Sequence, residues 1–217
     1  GKHTIEKYGH KLEDRYYNKT EMFNYKEINS YLKPKYQTNL NPFDLCKPYY
    51  DQTKGKNDVE RKMFIDLNFW LPNDILLKAD KMSMANSVEL RVPFLDKEVW
   101  KQSRIIPTKY MVKDGQTKYI FRTIADEKIP KEWSSRKKKG FPVPFGKWIK
   151  EEKYYQKVKE TFNSKKAKEF FELDKINKLL EDNYHNKAAN GKQIYCVYTF
   201  LIWYRRYFIT EIFWFFV

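Results

Sequence analysis

Residues 59–99 read VERKMFIDLNFWLPNDILLKADKMSMANSVELRVPFLDKEV, and this stretch decides the fold class. Val59, Met63, Phe64, Leu67, Trp70 and Leu71 recur at the spacing of one helix face. Pro72 lacks an N–H and its ring crowds the preceding turn, which predicts that this helix stops there. Asn73 and Asp74 suit a helix N-terminus, so the run Ile75-Leu76-Leu77 predicts a second helix at once. Met82 and Met84 continue the helical stretch and are expected as core filler. Glu89 and Arg91 are expected to form a buried ion pair bracing the turn at Pro93. Asp96 reads as the N-cap of a helix carrying Val99 and Trp100.

The same reading extends in both directions. Upstream, Asn24 and Glu27 have capping-box spacing, predicting a short helix through Leu32 that ends near Pro34. Residues 34–56 hold Pro34, Pro42, Pro48 and Gly55 and are expected as an irregular crossing segment. Downstream, Gly115 precedes a helix holding Ile120, Phe121, Ile124 and Ala125, closed by Pro130. Residues 134–146 combine a basic cluster with glycine and proline and read as a basic loop. Further helices are expected over 145–162, over 174–183 and from Gly191 onward. No alternating strand pattern and no internal repeat stands out. The expected fold is mainly α, as a single helical subdomain over residues 1–217.

Composition bounds the function classes. The net charge is +15, which raises nucleic acid or a membrane surface as partners. The cations are 35 Lys against 8 Arg, however, and phosphate and base recognition favours the Arg fork. Codon bias of an AT-rich genome accounts better for a Lys, Asn, Ile and Tyr excess, so nucleic acid is not the expected partner. Cys46 and Cys196 stand far apart, and His3, His10 and His185 are the only imidazoles, which argues against a zinc site and for a reduced, cytoplasmic protein. The start has neither an initiator Met nor an apolar signal region, so a cropped or processed start is expected. The apolar run Ile194–Tyr204 is broken by Arg205 and Arg206 and is too short to span a bilayer; a buried helix is expected instead. Phe213 to Val217 is apolar enough to predict packing against something.

The seven glycines include no adjacent pair. No phosphate loop, dinucleotide fingerprint, nucleophile elbow or HExxH helix is present. Composition and periodicity alone therefore stop at a basic, helical domain.

A resemblance goes further. The stretch from Trp70 is similar to the block WLpdDlLvKaDrMSMAhSlEaRvPfLDhe of the asparagine synthetase family. Asp114–Arg122, DGQTKYIFR, resembles that family's xGxxKxxLR, and Arg136–Pro144, RKKKGFPVP, resembles its RxKxGFxxP. The three blocks stand in the family's order, and the resemblance as a whole covers about Leu12 to Trp203. The resemblance implies the helical C-terminal part of an adenine-nucleotide α-hydrolase-like synthetase domain, with the parallel-sheet half missing. In that family ATP, with Mg in the full-length enzyme, activates the aspartate side chain as β-aspartyl-AMP. Ammonia from a glutaminase domain then displaces AMP. The family's pyrophosphate loop, SGGxDSS, and its N-terminal cysteine are both absent from these residues. The implied partners are the remainder of the synthetase domain and the glutaminase domain, and such enzymes often form homodimers. The chain alone is expected to be inactive and to bind no ATP or metal.

The resemblance also nominates site residues. Lys118 matches the lysine that balances charge at the adenylated intermediate, and a fixed cation there suits developing negative charge. Asp80 and Lys81 fall in the segment that lines the active-site wall, against a plainer reading as a capping Asp beside a solvated Lys. Arg122, at i+4 from Lys118, is expected either at the substrate or in a structural ion pair. Arg136 and Lys138 belong to a basic loop that would close over the nucleotide or remain a solvated surface. Glu89, Arg91 and Asp96 are expected as structural residues. Two alternatives stay open: a related carboxylate-adenylating enzyme of β-lactam or peptide-cyclising type, and a basic nucleic-acid-binding module.

Overall fold

The structure is a computed structural model that describes residues 10–17, 22–136, 140 and 143–209. Helix accounts for 67% and strand for 3%, so the fold is mainly α, as expected. The chain divides into two compact units, residues 1–19 with 43–140 and residues 20–42 with 141–217. Phe213–Val217, Lys138 and most of the basic cluster lie outside the described residues.

The first unit gathers its core near the chain start. Leu12, Tyr16, Cys46, Tyr50 and Ile65 are buried together, with Tyr49 and Phe69 packed on them. Helix α1, Pro42–Asp51, supplies Cys46 and Tyr50. It occupies part of 34–56, which corrects the expectation of an irregular segment: Pro42 sits in the first turn, where a missing N–H costs nothing. Helix α2, Asp58–Ile65, starts on a full capping box that sequence reading passed over. Asn57 accepts from Val59 and Glu60 backbone N–H groups, and the Glu60 carboxylate accepts from the Asn57 N–H.

The predicted stop at Pro72 does not occur. The chain runs from α2 through a π-helical segment, Asp66–Leu76, directly into α3, Leu77–Met84. The wider turn relieves the clash between the Pro72 ring and the preceding turn. At its entrance the Asn68 side-chain amide donates to the Phe64 carbonyl at 2.7 Å, satisfying an acceptor that α geometry would pair with a backbone N–H.

Helices α4, Lys97–Arg104, and α5, Thr108–Met111, follow. A minimal hairpin comes next, β1 Val112–Lys113 against β2 Gln116–Thr117, with Val112 opposite Thr117. Helices α6, Tyr119–Lys128, and α7, Lys131–Ser134, complete the unit. Between Asp66 and Arg136 the only buried described residue is Ser134. Met82 and Met84 are 60% and 58% exposed, so the core-filler expectation is corrected. Within the first unit no described residue buries them.

The second unit has the larger core. Phe162, Ile176, Leu180 and Ile194 are fully buried among Tyr155, Val158, Phe170 and Leu201. Four helices dominate it: α9 Glu152–Phe162, α10 Lys165–Phe170, α11 Leu173–Tyr184 and α12 Gly191–Tyr204. Short helix α8, Phe145–Trp148, precedes them and is separated from α9 by a turn, so the single helix expected over 145–162 is two. Asn24 does accept from a nearby backbone N–H, that of Lys26, but only a 3₁₀ turn at Ile28–Tyr31 follows. That segment instead laces onto the core: the Lys33 N–H donates to the Phe170 carbonyl at 2.9 Å and the Glu172 N–H to the Tyr31 carbonyl at 2.9 Å. Helix α12 buries Ile194, Val197 and Leu201 as the periodicity predicts. Among the described residues no helix is long and apolar enough to cross a membrane.

A candidate active-site wall at Lys118

The hairpin exists to make one sharp reversal. Asp114 and Gly115 fill its two-residue turn at φ 50° and 74°, the left-handed pair that an Asp-Gly sequence favours. The chain leaves β2 and reaches Lys118, which is also left-handed at φ 58° and ψ 36° and stands as the residue before α6. A non-glycine side chain in that region costs on the order of 1 kcal/mol, and such outliers cluster where function over-determines the backbone. The Lys118 side chain is exposed and has no hydrogen-bond or ion-pair partner among the described residues.

Four residues on, Arg122 forms no ion pair with a described residue, which was one of its two expected roles. Its Nη1 donates to the Ser134 carbonyl at 2.7 Å and reaches the Arg136 carbonyl at 3.4 Å. Its Nε is buried and has no hydrogen-bond partner among the described residues. Asp126, one turn further along α6, accepts from the Ser134 hydroxyl. Arg122 and Asp126 thus grip Ser134, 6% exposed, and fix where the basic segment starts. Sequence reading missed Asp126 and Ser134; the Arg122–Asp126 spacing of four was the available signal. Arg136 is exposed at the end of this clamp, and Lys138 lies outside the described residues.

The block around Pro93 meets the same helix. Phe94 and Phe121 stack edge to face with centroids 5.3 Å apart. Glu89 and Arg91 do pair, at 2.8 Å, but their side chains are 70% and 81% exposed. The expected burial is therefore corrected, and an exposed pair of this kind contributes little. Asp96 Oδ1 accepts from the Glu98 N–H at 2.8 Å and caps α4. Asp80 and Lys81 are both exposed on α3, and among the described residues no hydrogen bond or ion pair joins either to Lys118. The described residues also gather no group of three His, Cys, Asp or Glu side chains able to hold a metal.

Residues 3–205 match the family described as asparagine synthase. The chain belongs to that family. It is 37% identical to glutamine-hydrolysing asparagine synthetase 1 of Bacillus subtilis over 203 residues, 94% of this chain and 32% of that protein. It is 31% identical over 192 residues to a Mycobacterium tuberculosis protein that carries the same enzyme's name provisionally, covering 88% of this chain and 29% of that one. The chain thus spans about a third of the length of the curated relatives it matches. These family members are named as asparagine synthetases and favour neither the β-lactam or peptide-cyclising alternative nor the nucleic-acid module. No solved structure matches the chain.

Proposed function

We propose that this chain is the helical wall of a glutamine-hydrolysing asparagine synthetase and acts together with the rest of that enzyme. In this reading ATP activates the aspartate side-chain carboxylate, pyrophosphate leaves, and ammonia from glutamine displaces AMP. Lys118 supplies positive charge where the phosphoryl and acyl oxygens become more negative. Arg122 holds the basic segment, and Arg136 and Lys138 help retain pyrophosphate. Asp80 and Lys81 line the wall. Magnesium travels with ATP, and its ligands are assigned to ATP and the remainder of the enzyme. The cytoplasm is the expected compartment, consistent with Cys46 and Cys196 as unlinked thiols. Homodimerisation of the assembled enzyme belongs to the same reading.

The observation that carries the proposal is Lys118 itself: an exposed cation without a partner among the described residues, in left-handed backbone, at the position of the family's lysine. The uncovered apolar residues of the first unit support it. Phe94, Ile105 and Trp133 are 66%, 74% and 60% exposed, and a face of this kind needs cover from another layer. The rest of the synthetase domain is that layer.

The test is Lys118→Ala in the enzyme assembled with its nucleotide-loop and glutaminase parts. Asparagine formation falls by about 10²–10³-fold, with ammonia or glutamine as nitrogen source, on the scale of losing one oriented electrostatic group. Glutamine hydrolysis is retained. Unchanged synthesis would remove Lys118 from the site. The 217-residue chain by itself, given aspartate, ATP and ammonia, makes no asparagine.

A further inference from the structure

Ser134 is the one buried described residue between Asp66 and Arg136, and its hydroxyl has a single proton to donate. Two acceptors lie within reach among the described residues: the Asp126 carboxylate on α6, and the Lys131 carbonyl of its own helix at 3.1 Å. The Lys131 carbonyl is already taken. It accepts from the Ser135 N–H at 3.0 Å and from the Ser135 hydroxyl at 2.6 Å, which occupies both of its lone pairs. A carboxylate is also a stronger acceptor than a carbonyl. The proton therefore goes to Asp126, and the bond ties α7 to α6 rather than to itself.

That tie reaches the synthetase residues through α6. Lys118, Arg122 and Asp126 stand at i, i+4 and i+8, along one side of the helix over about 12 Å. At one end the Lys118 carbonyl accepts the Arg122 N–H at 3.0 Å, so the helix begins on the Lys118 backbone. At the other, Asp126 accepts from the Ser134 hydroxyl while Arg122 Nη1 donates to the Ser134 carbonyl. A single short bond from Arg122 leaves a pivot; the second, from the Ser134 hydroxyl to Asp126, stops rotation about it. Two residues on, the Arg136 N–H donates to the Trp133 carbonyl at 3.3 Å. One helix thus fixes the backbone of Arg136 relative to that of Lys118.

We propose, on the assignment of Lys118 to the developing charge and of Arg136 to pyrophosphate, that Asp126 is a positioning residue of the synthetase site. It acts through the Ser134 hydroxyl and holds Arg136 at a fixed distance from Lys118. In the activation step an aspartate carboxylate oxygen bonds to the α-phosphorus of ATP. The bond from that phosphorus to the bridging oxygen breaks, and pyrophosphate leaves with the electron pair. Arg136 retains the pyrophosphate only while its backbone is held, so Asp126 sets pyrophosphate affinity without touching it.

The experiment measures product inhibition by pyrophosphate, with ammonia as nitrogen source, in the enzyme assembled with its nucleotide-loop and glutaminase parts. Asp126→Ala raises the pyrophosphate inhibition constant by about tenfold or more and leaves the KM for aspartate within about twofold. Ser134→Ala does the same, and the double variant is no worse than either, since both cut one bond. Asp126→Asn keeps an acceptor oxygen in place and recovers part of the affinity. Glu127→Ala removes an equal charge from the neighbouring exposed position of α6 and leaves inhibition within about twofold. In the 217-residue chain alone, tryptic cleavage after Arg136 quickens in Asp126→Ala and Ser134→Ala but not in Glu127→Ala. Unchanged pyrophosphate inhibition in Asp126→Ala, with synthesis still impaired in Lys118→Ala, would overturn the role of Asp126 and leave the proposed function standing. Equal shifts in Asp126→Ala and Glu127→Ala would reduce the effect to local charge and overturn it too, as would cleavage unchanged in Asp126→Ala. Unimpaired synthesis in Lys118→Ala would bring down the proposed function, and the role of Asp126 with it.

Discussion

Removing Arg122 tests how the basic segment is held. Arg122 Nη1 lies 2.7 Å from the Ser134 carbonyl, while its 3.4 Å approach to the Arg136 carbonyl is near the limit of a hydrogen bond. The shorter contact carries most of the effect. A hydrogen bond from a charged donor contributes about 1.5–3 kcal/mol, and Arg122→Ala forfeits it at a buried residue. That energy raises the population with the Ser134–Arg136 segment released by roughly ten- to hundred-and-fifty-fold. Arg122→Lys falls between, because it keeps the charge but places its ammonium on a shorter stem than the one that brings Nη1 to the Ser134 carbonyl. Two readouts follow the open population: the rate of tryptic cleavage after Arg136, and exchange of the Ser135 N–H, which donates to the Lys131 carbonyl at 3.0 Å. Cleavage and exchange both unchanged in Arg122→Ala would show that Arg122 does not anchor the segment.

Three further outcomes are expected. Gly191→Ala forces a Cβ against Gly146 backbone at 2.8 Å and destabilises the second unit by about 1–3 kcal/mol, read as a lower urea midpoint. Gly146→Ala meets its nearest atom at 3.3 Å and costs less; the reverse order would contradict the crossing geometry. Burial, helped by the bond to Asp66, raises the Tyr16 phenol far above its usual range, and burial does the same for Tyr50. A raised folded-state pKa gives stability that is present below the unfolded value of about 10 and lost as pH rises beyond it. Stability therefore declines above about pH 10, and tyrosinate absorbance shows these two phenols ionising only with unfolding; their titration in the folded protein would refute this. Asp96→Ala removes the acceptor for the Glu98 N–H and costs about 1 kcal/mol, measured by denaturation, with Asp96→Asn close to wild type.

Some local features around the candidate site follow from the sequence alone, and those that do not share a cause. The Asp96 cap depends on neighbouring residues, and the nomination of Lys118 depends on a contiguous motif. The grip of Arg122 and Asp126 on Ser134 spans two helices, so their spacing of four placed the two on one helix side but did not name Ser134 as what they hold. The Glu89–Arg91 pair forms because its members are two residues apart. Its exposure depends on which layer lies across it, and no short-range pattern encodes that.

Taken alone, the sequence determined the mainly helical fold, the apolar face of α12 and the membership of a family by three ordered blocks. These follow from periodicity and short-range propensity, which act within a turn or two of chain. Tertiary structure decided that Pro72 is absorbed in a π segment rather than ending a helix, and that Met82 and Met84 lie open. It also decided that Gly146 and Gly191 touch, with Asn183 bonded to the Gly146 carbonyl at the crossing. Each of these depends on what residues distant in the chain place next to them, and burial, close approach and charge gathered in space are properties of packing.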